Sequence, residues 1–166
     1  MSWDAIKVVD GPARAPRRAP PSLWTVSGTN IAVVRRLLEL WSNGDLEGFI
    51  EGVDPELEWR TSGIFPDVDP AYYGHDGFRK FWRDFHEIWE TLSMELRDAV
   101  VVGDLVAFSF HFEATGRGGV RAGRDQASLV TLRNGLLFRI ENYARWDQAL
   151  EALESHRQGA GADATP

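Results

Sequence analysis

The chain of 166 residues contains no cysteine, which excludes a disulfide framework, a thiolate nucleophile, a zinc ribbon and an iron–sulfur cluster and fits a reducing compartment. Basic residues are in deficit: 18 Lys and Arg stand against 25 Asp and Glu, for a net charge of −7. Residues 1–22 hold four basic and two acidic side chains and 155–166 one of each, which leaves 13 basic and 22 acidic in 23–154. A nucleic-acid binder needs clustered cations to displace phosphate counterions, so that class is excluded. No apolar run approaches the ~20 residues of a membrane span, and the first residues lack the apolar stretch of a secretory signal. The sequence therefore predicts a soluble, cytoplasmic protein with no membrane or nucleic-acid partner. Recognisable site motifs are scarce as well. No Gly-x-Ser-x-Gly elbow, phosphate-binding loop or Gly-x-Gly-x-x-Gly fingerprint occurs. His86-Glu87 opens like a zinc-protease motif but has no second His at the required offset, so neither a metal nor a cofactor is expected.

What the chain has in excess is aromatic residues: nine Phe, seven Trp and three Tyr. They suffice for one well-filled core, and the length suits a single domain. Four prolines in the Arg-rich stretch 11–21 make residues 1–22 an extended tail, or a basic docking arm. Residues 23–156 form the domain, and 157–166 read as a disordered C-terminal tail. A first helix covers about 30–41, capped by Thr29 or Asn30, with Ile31, Val34, Leu37, Leu38 and Trp41 on one face. Asp45 caps a short second helix carrying Leu46, Phe49, Ile50 and Val53. Leu57 and Trp59 alternate with charges in a brief strand. A third helix carries Phe78, Phe81, Trp82, Phe85, Ile88, Trp89 and Leu92 on one stripe. From Leu96 the pattern turns to strands, 96–102, 105–115, 120–133 and 136–144, with Asn134-Gly135 as a type I′ hairpin turn. A short helix, about 146–156, follows. Helices first and a meander after predict an α+β fold with an antiparallel sheet.

Five segments in this order, Trp41-Ser-Asn-Gly-Asp-Leu46, Asp54-Pro-Glu-Leu-Glu-Trp59, Tyr73-Gly-His-Asp-Gly-Phe78, Leu132-Arg-Asn-Gly-Leu136 and Ala149-Leu-Glu-Ala-Leu153, resemble the SnoaL-like branch of the nuclear transport factor 2-like superfamily. The resemblance implies a cone-shaped barrel in which a curved antiparallel sheet wraps three N-terminal helices around a pocket. It also implies homodimers paired through the sheet. The superfamily spans ketosteroid isomerases, polyketide cyclases, hydrolases, dehydratases and non-catalytic proteins, so the fold alone does not set a function. Aligned on the isomerases, this chain has Leu37, Arg60 and Ser128 where the oxyanion tyrosine, the base and the protonated aspartate belong. That mechanism is not expected.

The candidate catalytic groups are His75, Asp125, Arg60 and Tyr143. His75 stands before the third helix, where it serves either proton transfer at the mouth of the cone or a helix cap. Asp125 is a general base if buried, or a surface charge paired with Arg121 or Arg124. Arg60 binds an enolate oxygen or forms a salt bridge to Glu58. His111 alternates away from Phe108, Phe110 and Phe112 and faces a partner or solvent. Trp41, Trp59, Phe81, Trp82, Phe85, Trp89, Phe108, Phe110 and Ser128 are candidates to line a pocket for a small hydrophobic or aromatic molecule, with simple core packing as the other reading. The functional expectation is a SnoaL-like ligand-binding protein, either a cofactor-independent acid/base enzyme of isomerase, cyclase or hydratase type, or a non-catalytic binding or adaptor protein.

Overall fold

A computed structural model describes residues 28–163 apart from 64, 66 and 67; the expected N-terminal tail at 1–22 and Trp24 lie outside the described residues. In chain order the elements are α1 (Gly28–Ser42), α2 (Leu46–Glu51), β1 (Val53–Arg60), β2 (Ala71–Tyr73), α3 (Gly74–Ile88), β3 (Trp89–Val102), β4 (Leu105–Gly116), β5 (Arg121–Arg133), β6 (Leu136–Tyr143) and α4 (Trp146–Asp163). The six strands form one curved, open sheet in the order β2-β1-β6-β5-β4-β3. All its pairings are antiparallel except β1 with β6, which run parallel. Register shifts at Leu96/Asp98 and at Thr131/Leu132 bend the long strands.

The concave face holds the core. Ile31, Val34, Leu37, Leu38 and Trp41 of α1 are buried there with Phe78, Phe81, Trp82 and Phe85 of α3, because the 3.6-residue period keeps each apolar stripe on one side. Asp45 caps α2 by accepting from the Gly48 amide at 2.9 Å. Asn134 and Gly135 both have positive φ, as a type I′ turn demands. Asn30 does not cap α1, which begins at Gly28; its Nδ2 donates to the Gly103 carbonyl at 2.7 Å and ties the helix to the β3–β4 turn.

Two boundaries differ from the sequence pattern. The third helix stops at Ile88, and Trp89 opens β3, where Trp89, Thr91 and Leu92 pair with Gly116, Thr115 and Ala114. Trp89 and Leu92 fit a helical stripe as well as a strand, and the long pairing with β4 decides between them. At the other end α4 continues through 157–163, which the sequence had assigned to a disordered tail. No proline lies between the start of α4 and Pro166, so the helical ladder runs on despite Gly159 and Gly161.

The helix α4 lies on the convex face of the sheet. Leu153, with Trp146 and Leu150, packs on Val100, Ala107 and Leu129. Part of the face that the resemblance assigns to a homodimer contact is thus covered by the chain's own helix.

Asp54, at the start of β1, is buried and held by Arg133 from the end of β5. Nε and Nη2 of Arg133 donate to its two oxygens at 3.0 and 2.7 Å, and the Glu56 amide donates at 2.8 Å. The Arg133 hydrogen bonds, then the Glu56 amide, hold the Asp54 carboxyl below the usual carboxylate range. A lowered folded pKa contributes stability that is complete above the ordinary value of about 3.9 and is lost as pH falls through the lowered one. Asp54→Asn is therefore expected to lower the thermal midpoint at neutral pH and to flatten its fall as pH drops below about 4. An acid limb as steep as that of the parent would show that Asp54 does not set it.

Candidate functional site

Strand alternation sends every second side chain into the cone, and these meet the helix stripes around a cavity of about 60 Å³. The α1 side of the wall is Val34, Leu37, Leu38 and Trp41, with Phe81 and Phe85 from α3. Across from them stand Phe108, Phe110 and Phe112 of β4, Gln126, Ser128 and Val130 of β5, and Ile140 and Asn142 of β6. Phe49, Trp59, Phe65, Met94 and Leu137 complete it. None of these side chains is ionisable. The volume is well under the ~150 Å³ of an apolar cavity that takes up benzene, because the aromatic rings fill the cone themselves. Trp41 is the hub, within 6.3 Å ring to ring of Phe49, Trp59, Phe78, Phe81, Trp82 and Phe85.

The polar groups of the wall are neutral and mostly spoken for. Trp59 Nε1–H donates to Asn142 Oδ1 at 2.9 Å, and Asn142 Nδ2 donates to Ser128 Oγ at 2.8 Å. A hydroxyl that accepts one bond keeps a proton to donate. With the Gln126 amide turned so that its oxygen faces Arg124, Oε1 accepts from Nε and Nη2 of Arg124 at 2.6 and 2.7 Å. The indole Nε1 of Trp41 is buried and has no acceptor, the kind of orphan that a ligand or water satisfies.

The four expected catalytic groups are not among the cavity's lining residues. His75 hydrogen-bonds through Nε2 to the Val53 carbonyl at 2.8 Å, and α3 has no side-chain cap; the ring staples α3 to β1. Asp125 points outward because Arg124 and Gln126 take the inward positions of β5. It is 80% exposed and accepts from His111 Nδ1 at 2.6 Å. Arg60 alternates with the inward Trp59, lies opposite Glu141 in the register with β6 and is ion-paired to Glu58. Tyr143 alternates with the inward Asn142. It packs in the α4 cluster and donates its hydroxyl to Glu141; burial, then that bond, raises its pKa. For Arg60, Asp125 and Tyr143 a one-residue shift of alternation separates the outside of the sheet from the cavity.

Of the proposed lining set, Trp41, Trp59, Phe81, Phe85, Phe108, Phe110 and Ser128 stand on the wall. Trp82 does not: its ring stacks on His86 at 4.5 Å. Trp89, at the start of β3, packs edge-on against Phe112 instead. The sequence reading passed over Asn142, Gln126, Phe65 and Met94. Asn142 and Gln126 were open to discovery, since both sit in phase with Ser128 and its cross-strand neighbours; Phe65 comes from a loop with no periodicity to read.

Three helices held within a curved, open sheet around an internal cavity make this a cone-shaped α+β protein of the nuclear transport factor 2-like kind. The SnoaL-like domain matches residues 34–140, and the chain belongs to that family. TerC, co-crystallised with polyporic acid, is similar in fold, with a TM-score of 0.64 at 23% identity over 76% of this chain and 99% of that one. A nuclear transport factor 2-like protein of unknown function from Burkholderia pseudomallei gives 0.65 at 16% identity over 75% and 97%. A hypothetical protein with a ketosteroid isomerase-like fold from Catenulispora acidiphila, in complex with trimethylamine, gives 0.59 at 12% identity over 67% and 83%. No curated protein matches the sequence. Among the described residues, no helix is long and apolar enough to cross a membrane, and no group of three or more His, Asp or Glu is arranged to hold a metal ion.

Proposed function

We propose that the protein binds a small, flat, largely apolar molecule carrying an acceptor oxygen, and that the cavity wall supplies no acid/base chemistry. The observation that carries this reading is the wall itself: aromatic and aliphatic throughout, with neutral hydrogen-bonding groups only and an unpaired indole donor. Apolar surface supplies the affinity, and one or two donors fix the orientation. Asp125, Arg60 and Tyr143 have their partners on the outer side of the sheet, and His75 is held by the Val53 carbonyl away from the cavity wall, which supports binding over isomerase, cyclase or hydratase chemistry. Because the cavity is small, the ligand must displace part of the wall. Among the described residues, Phe65 and Met94 are the only wall residues that are not buried, so the wall yields there first.

The test uses 2-acetonaphthone, a neutral bicyclic ketone, followed by quenching of tryptophan fluorescence and by calorimetry. Saturable binding is expected, with a negative heat-capacity change. Ser128→Ala should weaken it about 3- to 10-fold, as loss of one neutral hydrogen bond does, while His75→Ala leaves it unchanged. Absence of saturable binding, or an affinity that responds to His75 and ignores Ser128, overturns the reading.

A further inference from the structure

The register across β3, β4 and β5 puts Met94, Phe112 and Arg124 in one row on the concave face. The next row inward is Leu96, Phe110 and Gln126, and a deeper one is Ala99, Phe108 and Ser128. Met94 and Phe65 are the wall residues that reach the surface, so the Met94 row is the rim of the cavity and Arg124 is its cation. The Arg124 guanidinium lies 6.0 Å over the ring of Phe65, and that ring packs edge-on against Phe85 at 5.4 Å. Two bonds to Gln126 orient the fork: Gln126 is 1% exposed and itself part of the wall, so its oxygen is a fixed anchor.

We propose that Arg124 is a specificity-determining residue that recognises an acidic oxygen, a carboxylate or an ionised enol, on a ligand whose apolar ring system lies in the cone. The inference rests on the binding reading above and names the chemical class of the ligand. A guanidinium has five donors in a planar fork, of which Gln126 takes two. An acid oxygen at the rim bonds to the outer edge of that fork, in exchange for the contacts the edge makes now. Phe65 marks where the ring goes: it is an aromatic side chain of the protein itself held between Phe85 and the guanidinium, and a ligand ring that replaces it inherits both contacts. The domain's excess of acidic side chains disfavours anions in general. A preference for an acid over its neutral analogue therefore requires a local, oriented contact.

The experiment compares 2-naphthoate with 2-naphthamide, nearly identical in shape and differing in charge, by calorimetry on the full chain and on Arg124→Met and Phe65→Ala. The parent is expected to bind the acid more tightly than the amide. Arg124→Met should weaken acid binding about 10- to 100-fold, the range for a hydrogen bond to a charged group, and amide binding by much less, so that the preference for the acid is lost; far-UV circular dichroism checks that the variant is folded. Phe65→Ala should strengthen both. If acid and amide bind alike to the parent, or if Arg124→Met lowers both equally, the assignment to Arg124 is wrong while the cavity reading stands. If neither probe binds the parent or Phe65→Ala, both fail together.

Discussion

Phe81→Ala is expected to lower the free energy of unfolding by about 3–5 kcal/mol, the range for truncating a buried Phe. The side chain is 1% exposed and touches rings on three sides: Trp41 at 5.8 Å, Trp59 at 4.8 Å and Tyr72 at 5.1 Å between centroids. Those neighbours belong to α1, β1 and β2, so the space left by the ring cannot be closed by moving one element. For a domain of this size the loss corresponds to a fall of roughly 6–20 °C in thermal midpoint. Urea denaturation with linear extrapolation measures it directly. A loss below about 1 kcal/mol would mean that the cone collapses around the gap, contrary to the packing described. Because Phe81 is also on the cavity wall, the variant enlarges the site as it destabilises the fold, and its affinity for 2-acetonaphthone should rise even as its stability falls.

Asn142→Leu is expected to cost about 2–4 kcal/mol, from orphaning the buried Trp59 indole and removing the bond to Ser128. The side chain would still fit a largely apolar surrounding; the cost arises from the partners it leaves behind. Trp59→Phe removes the donor, so the pair Trp59→Phe, Asn142→Leu should be less destabilised than the sum of the single changes. The expected coupling is about 1–2 kcal/mol. A double-mutant cycle by chemical denaturation reads it, and strict additivity would show that the 2.9 Å contact carries no net energy.

The elements with a strong local period were legible before any coordinates. The α1 and α3 stripes, the Asp45 cap, the Asn134-Gly135 turn and the inward set Phe108, Phe110 and Phe112 follow from rules that act within a few residues. The end of α3 was not legible, because Trp89 and Leu92 satisfy both periods and the choice lies in a partner strand more than twenty residues away. The extension of α4 was masked by two glycines. Of the residues put forward for an apolar wall, Trp41, Trp59, Phe81, Phe85, Phe108, Phe110 and Ser128 line the cavity, whereas Trp82 and Trp89 do not. The catalytic candidates were chosen by residue type, and type does not report which face of a strand a residue occupies. Arg60, Asp125 and Tyr143 each stand one position out of phase with a wall residue, Trp59, Gln126 or Asn142.

Composition settled one exclusion, since thiol chemistry needs a cysteine that the chain does not have. Order of motifs and short-range periodicity settled the fold, because secondary structure and its apolar faces are set by spacing along the chain. How far the aromatic rings fill their own cone is a property of packing, in which rings from distant segments meet, and so the abundance of Trp and Phe could not say whether the interior was a pocket or a core. It is chiefly a core, with about 60 Å³ to spare. The same limit applies to chemistry: the register of β1, β5 and β6 turned the charged groups outward and left an interior of neutral donors, with Arg124 at its rim.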